Sequence, residues 1–384
     1  MKKRELWMDF SNALLKQDTT RINNILDLYL HSISRGDASQ AADKDGQVSL
    51  AQSITFEALY TNDRNQNTYI QHLDLSKKRS DKFDTTTSYY NRDPLLQKYI
   101  MLNNSSYLSD AYYLDLGLNY FVNKSINKTL LVNVPDDKVM AKIGMRKLYN
   151  RGEFSVYTAY HDSMKSYMEY GISADYQLLS TLRIGTRVSK NMDTLGSTQL
   201  LLGGKKDMID LHLSWNILNS TSIDYLREFN EYSSQDNVNL GKGTYDRIII
   251  SKKIRNGYPD LNLGVFYDSS SYSETSGSRG VIDELQVEDF KTLPNNFYNI
   301  GLDIVYGMAN RNVYTRVWRP YFEFSPYYNN DIDSYTYTLN AGYGGKVWHQ
   351  DHLVFGMAYS DSVSGTGGSV LELFINYQFM YYHP

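Results

Sequence analysis

Over most of this chain, apolar and polar side chains alternate with a period of two, in runs about ten residues long. Leu114, Leu116 and Leu118 are interleaved with Asp115, Gly117 and Asn119. Ile209, Leu211, Leu213, Trp215 and Ile217 are interleaved with Asp210, His212, Ser214 and Asn216. Leu371, Leu373, Ile375, Tyr377 and Phe379 are interleaved with Glu372, Phe374, Asn376 and Gln378. A period of two puts successive side chains on opposite faces of a strand. About ten residues is what a tilted strand needs to cross a bilayer. No run approaches the roughly 18 apolar residues of a spanning helix, and mean hydropathy is polar, -0.49. A helical membrane protein is excluded. A closed sheet is the remaining way to satisfy every backbone group in lipid.

Read this way, the chain predicts strands at 69–78, 83–90, 110–121, 139–149, 151–162, 166–177, 180–190, 207–218, 220–233, 243–256, 259–272, 296–308, 312–326, 333–345, 350–361 and 369–382. The fold class is therefore mainly β: a transmembrane antiparallel up-and-down barrel of about sixteen strands, an even number as bacterial barrels require. Connections alternate between short (150–151, 178–179, 256–258, 309–311) and long (122–138, 191–206, 234–242, 273–295). That is the pattern of tight periplasmic turns and long outer loops. Residues 91–109 break it: they read as a long loop on the periplasmic side. Aromatic spacing agrees with a membrane wall. Tyr112 and Tyr120 bracket three leucines on one face, and Tyr335 and Tyr343 bracket Tyr337, Leu339 and Ala341. Eight residues at about 3.3 Å, tilted about 40°, rise roughly 20 Å, near the apolar band of about 25 Å between aromatic girdles. The 35 tyrosines fit two water–lipid boundaries, because the ring buries while the hydroxyl stays wet.

If the apolar face meets lipid, the other face meets the lumen. That set contains Asp115, Lys142, Arg146, Glu153, Glu169, Asp175, Arg183, Arg187, Asp210, Asp268, Asp303, Arg319, Glu323 and Glu372. Gly117, Gly144, Gly171, Gly185, Gly264, Gly301 and Gly342 are interleaved with them. A dry core cannot hold such charges, since each unpaired one would cost several kcal/mol. Water must reach them, as it does inside a barrel of about sixteen strands. For any one residue, pairing across neighbouring strands is the competing role. The stretch 273–295 carries Glu274, Asp283, Glu284, Glu288 and Asp289, and is expected to be an acidic outer loop. Residues 360–369, rich in Gly and Ser, are expected to hang loosely.

Residues 1–66 read as a helical segment before a barrel at 67–384. Leu6, Trp7, Phe10, Leu14 and Leu15 fall on one helical face. Asp18-Thr19-Thr20 caps a second helix that buries Ile22, Ile25, Leu26, Leu28, Tyr29 and Ile33 and stops at Gly36. A third spans 48–60, with Leu50, Ile54, Ala58 and Leu59 inward. Three such helices bury little alone and resemble the last repeat of a TPR-like solenoid. Met1-Lys2-Lys3-Arg4 starts like a signal peptide, but Glu5 and Asp9 interrupt its apolar core. The chain is therefore expected to be the C-terminal portion of a longer exported protein.

Several functions are disfavoured by the totals. A net charge of -4 offers no basic footprint for nucleic acid. The absence of cysteine removes disulfides, thiolate metal sites and thiol nucleophiles. The seven histidines are scattered, with no metal-ligand spacing and no base beside a nucleophile. No enzymatic activity and no cofactor are expected. A soluble glycan-binding module is disfavoured, because a leucine–tyrosine ring of this area would aggregate in water.

The second half carries further motifs: Ser234-Gln235-Asp236 with Leu240-Gly241-Lys242-Gly243, Gly257-Tyr258-Pro259-Asp260-Leu261, Tyr314-Thr315-Arg316-Val317-Trp318-Arg319-Pro320, and the stretch 356–378. With these the chain resembles the C-terminal barrel of the PelB family, the outer-membrane porins of Pel exopolysaccharide secretion. The resemblance implies a sixteen-stranded porin behind a periplasmic TPR scaffold. It implies passage of a cationic exopolysaccharide, an outer-membrane lipid environment, and a periplasmic polysaccharide-modifying enzyme bound by upstream repeats. The family's lumen is acidic, whereas the inward set here is mixed. A general diffusion porin is the alternative reading, and the helical stump argues against it.

Overall fold

The computed structural model describes residues 3–16, 19–44, 48–60, 68, 71–72, 75, 81–109, 111–149, 151–179, 181–218, 220–255, 259–285, 291–307, 317–348 and 351–381. Sixteen antiparallel strands pair with their sequence neighbours, and the first closes on the last. They are β1 (Asp81–Arg92), β2 (Leu95–Ser109), β3 (Tyr112–Ser125), β4 (Asp137–Tyr149), β5 (Gly152–Asp162), β6 (Tyr167–Leu179), β7 (Leu182–Met192) and β8 (Gly204–Leu218). The second half comprises β9 (Thr221–Ser234), β10 (Asn239–Arg255), β11 (Asp260–Glu274), β12 (Phe297–Gly307), β13 (Arg319–Asn329), β14 (Ser334–Gly345), β15 (Asp351–Ser360) and β16 (Val370–Tyr381). Closure runs from Asp81 opposite Tyr381 to Arg92 opposite Val370, so no edge strand is left to aggregate.

The count of sixteen agrees with the sequence reading, but its first two members do not. Residues 71, 72 and 75 of the expected strand 69–78 are helical. Residues 95–109, expected to be a loop, form β2. The two errors cancel, so every strand from β3 onward keeps its expected direction. The long loop at 91–109 disappears, replaced by a two-residue turn at 93–94.

Outward side chains form the apolar belt. Leu116, Leu118, Ile143, Ile172, Val188, Ile209, Leu211, Ile250, Val265, Ile300, Leu302, Leu373 and Ile375 are all exposed. Aromatic rings flank them. At the end where β1 begins lie Tyr149, Phe154, Tyr176, Trp215, Tyr306, Tyr343 and Phe355. At the far end lie Tyr120, Tyr160, Tyr170, Phe229, Tyr267, Tyr298 and Tyr335. Trp318 joins the first girdle, its ring 5.4 Å from Tyr343 and 5.9 Å from Phe355. Exposed leucines between two rings of tyrosine are stable only where lipid covers them.

The N-terminal residues form α1 (Lys3–Lys16), α2 (Thr19–Tyr29), α3 (Arg35–Lys44) and α4 (Val48–Tyr60). They share a core of Leu6, Phe10, Ala13, Ile22, Ile25, Leu26, Ile33, Ala38, Ala41, Ala42, Ala51 and Ile54, which Leu75 also enters. Helical structure therefore reaches Leu75, past the expected division at 66–67. Gly36 is no stop: it lies in the first turn of α3, a helix whose core face is alanine and so carries little hydrophobic signal. Leu28, expected inside, is exposed. The expected cap at Asp18 lies outside the described residues.

Candidate functional site

Cross-strand partners share a face, so the register can be followed around the barrel. Asp115 pairs with Gly144, Gly144 with Tyr157, Tyr157 with Gly171, and Gly171 with Ser189. Arg183 is opposite Gln177 and Ser214, and Arg187 is opposite Ser173 and Asp210. Glu153 faces Asp175, and Glu169 faces Ala159. Gly264 links Asp303 to the same face, and Glu323 and Arg319 follow on β13, opposite Asn340 and Gly344. Glu372 closes the ring opposite Tyr90. Register thus puts all these charged residues on the inner face, opposite the exposed leucines.

Most inner carboxylates on β3–β8 have cationic partners. Arg146 Nε lies 3.4 Å from Asp115 and its Nη1 3.9 Å from Glu153. Arg183 Nε lies 3.1 Å from Asp175, and Arg187 Nε 3.4 Å from Asp210. His212 Nε2 sits 2.7 Å from Asp175. Glu169 holds His161 Nε2 at 2.7 Å on one oxygen and accepts from the Tyr157 hydroxyl at 2.7 Å on the other. Farther round, Lys206 Nζ lies 3.3 Å from Glu228 and Lys253 Nζ 3.8 Å from Asp260, and other carboxylates accept from neutral donors. Asp303 accepts from Ser325 Oγ at 2.7 Å, and Glu372 accepts from Ser88 Oγ and the Tyr99 hydroxyl, both on Oε1. Asn340 Nδ2 donates to Glu323 at 3.4 Å, and Asp268 accepts from the Tyr245 hydroxyl at 3.3 Å.

The inner glycines have a steric task. A Cβ at Gly171 would fall 2.1 Å from the Tyr157 ring, and one at Gly342 would fall 2.5 Å from Tyr321. The Tyr157 and Tyr321 rings occupy the space that these two glycines leave.

At the far end the loops pack on one another. The helix α5 (Thr198–Gly203) between β7 and β8 puts Leu201 and Leu202 against Leu95, Leu131 and Leu285. Its Leu200 packs with Tyr232, Leu240, Ile282 and Leu293. Two cations tie this connection to the wall. Lys138 Nζ, almost fully buried, lies 2.5 Å from Asp193. Arg92 donates to the carbonyls of Leu195 and Gly196 at 2.9 and 2.8 Å, and to Thr366 Oγ1 at 2.9 Å. The Gly/Ser-rich stretch 360–369, expected to hang loosely, is tied down as well. Ser364 Oγ accepts from Asn299 and Asn329, and the Ser362 carbonyl accepts from Tyr327.

The acidic stretch 273–295 does not gather its carboxylates among the described residues. Glu274 accepts from the Thr292 amide, and Asp283 from Ser278 Oγ and the Arg279 amide. Glu284 contributes its carbonyl to Asn133. Glu288 and Asp289 lie outside the described residues.

Beneath this cap, against β1–β7, lies a cavity of about 600 Å³. Its wall includes Glu169, Arg187 and Glu372 from the expected set, with Lys142. It also includes Tyr90, Tyr99, Lys138, Tyr157 and Asp193, which were not singled out in the sequence. Tyrosine reads from sequence as a residue of the lipid boundary. Strand parity alone would have turned Tyr157 inward, since it is two residues from Ser155 and four from Glu153.

A closed sixteen-stranded wall, greasy outside and charged within, defines an outer-membrane β-barrel channel. The family model for the PelB C-terminal beta barrel domain matches residues 77–380, and the chain belongs to that family. A solved structure described as a bacterial polysaccharide outer membrane secretin is similar in fold, with a TM-score of 0.57 and 10% identity. It covers 79% of this chain and 99% of its own. OccAB4 of Acinetobacter baumannii (TM-score 0.43, 10% identity, 79% and 98% covered) and OccK5 of Pseudomonas aeruginosa (0.41, 11%, 79% and 99%) are more distant. No curated protein sequence matches this one. The family and the fold are those of an export barrel rather than an enzyme.

Proposed function

We propose that this barrel exports an exopolysaccharide across the outer membrane, with its N-terminal helices in the periplasm. The observation that carries the reading is the tyrosine-rich cavity of about 600 Å³, with charged side chains set in its lining, inside a wall of sixteen strands. Its size falls in the range of about 300–1,000 Å³ usual for sites that hold small ligands. Its mixture of tyrosine rings, amides and ion pairs suits a hydroxyl-rich chain better than an apolar solute. Family membership supports export, and the polysaccharide description of the similar structure supports the substrate class. Pel-like polymer is the specific substrate that the motifs imply. The charged lining at Asp115, Glu153, Glu169, Asp175, Arg183, Arg187, Asp210, Asp303, Arg319, Glu323 and Glu372 would serve as the pore surface. Upstream repeats would supply the contact with a periplasmic polysaccharide-modifying enzyme. The packed loops would hold the outer mouth shut between export events. Deleting the barrel from the native cell and measuring secreted polymer tests the proposal. Export is expected to fall to background, and unchanged secretion would refute it.

A further inference from the structure

Two charges in the cavity stand apart from the ion-paired lining. Lys142, on β4, has no carboxylate within 4 Å among the described residues. Its ammonium rests 3.8 Å above the Tyr157 ring. The inward cations around it are engaged: Lys138 with Asp193, Arg146 with Asp115, Arg187 with Asp210. Glu372, on β16, is the complementary case. Ser88 and Tyr99 both donate to Oε1 and fix the carboxylate, while Oε2 has no partner among the described residues. Both side chains are half-buried and line the same cavity.

A cation over an aromatic face and a carboxylate held by two hydroxyls each keep capacity for a further partner. The strands that carry them are four spacings apart around the wall, an arc of about 19 Å. They therefore address different units of a chain in the lumen. Between them lie Tyr99, Phe121 and the amides of Gln97 and Asn119. Rings and amides of this kind meet the C–H faces and hydroxyls of sugars.

We propose that this cavity is a two-pole saccharide subsite. Glu372 takes an ammonium on one sugar unit, and Lys142 takes an acyl or carboxylate oxygen on another. A chain with a single sign of charge is favoured at one pole and repelled at the other. A chain mixing amino and acylamino sugars is favoured at both. The proposal rests on the export reading and adds the residues that would set its selectivity.

Isothermal titration of the whole chain in detergent tests it with four probes: a half-acetylated chitosan tetramer, its fully deacetylated and fully acetylated forms, and tetragalacturonate. The half-acetylated tetramer is expected to bind tightest. Lys142→Met is expected to weaken the half-acetylated tetramer and the galacturonate by about tenfold, and to tighten binding of the deacetylated tetramer, which loses a repulsion. Glu372→Gln is expected to weaken both amine-bearing tetramers by about tenfold and to tighten binding of the galacturonate, which loses a repulsion. One charge-assisted hydrogen bond accounts for a change of that size. Heat-modifiable migration in gels checks that each variant is folded. Equal binding of all four probes, no binding at all, or losses that ignore probe charge would overturn the subsite. Secretion in cells separates the two ideas. Barrel-dependent secretion without binding rejects the subsite alone. Binding with barrel-independent secretion rejects the export reading alone.

Discussion

The Tyr157 ring occupies its place because residue 171, on the next strand, is glycine. A methyl group there would meet the ring at 2.1 Å. Gly171→Ala is therefore expected to swing Tyr157 into the cavity, away from Glu169 and from under Lys142. The side chain is free to move, so the fold should survive at a cost of about 1–2 kcal/mol. A smaller single-channel conductance would report the displaced ring, and an unchanged conductance would contradict it. The Lys138–Asp193 pair makes a second, asymmetric case. Lys138 is 2% exposed and Asp193 26%. Removing the acid strands a buried cation, whereas removing the cation leaves an acid that water can reach. Asp193→Ala should cost about 3–5 kcal/mol locally, and Lys138→Met distinctly less. Amide hydrogen exchange across 193–203 measures both. Equal deprotection in the two variants would argue against burial as the cause. The charged members of the inner face were legible from parity alone. Their partners were not, because His161 meets Glu169 and His212 meets Asp175 only once neighbouring strands are in register.

Strand legibility tracked the contrast between the two faces. On β8 the outward residues are Ile209, Leu211, Leu213 and Trp215 and the inward ones Asp210, His212 and Ser214, so the strand declares itself. On β2 the outward set Leu96, Lys98, Ile100 and Leu102 hardly differs from the inward set Leu95, Gln97, Tyr99 and Met101. That strand was missed for want of alternation. The opposite error concerns the expected strand 69–78, whose alternation in sequence comes from Leu73-Asp74-Leu75-Ser76, whereas its described residues 71, 72 and 75 are helical. Thr68, Gln71 and Leu75 instead repeat at helical spacing, and Leu75 joins the helical core. The same contrast predicts how β8 responds to charge. Leu211→Arg puts a guanidinium in the middle of the lipid face and should destabilise the folded barrel by about 2–4 kcal/mol. His212→Arg, one residue on, keeps a hydrogen-bond donor beside Asp175 and Asp210 on the inner face and should cost little. Urea titration in lipid vesicles, followed by tryptophan fluorescence, compares them. Similar losses for both would mean that the two faces meet the same environment.

For the molecule as a whole, closure among the described residues is made by pairs after residue 80, since β1 meets β16 from Asp81 to Arg92. The helices, by contrast, have their own core. A chain of residues 77–384 is expected to fold in detergent and to show the heat-modifiable migration of a closed barrel. Loss of that shift would show that the helical part is needed for closure. The sequence by itself determined the class of fold, the strand parity and so the identity of the inward charges, because a period of two is local and lipid tolerates only one face of each strand. The cap of loops, the cavity beneath it and the ion pairs within it were decided only by tertiary structure. Leu95, Leu131, Leu201 and Leu285 come from separate turns, and no local pattern in the chain records that water would be squeezed out between them.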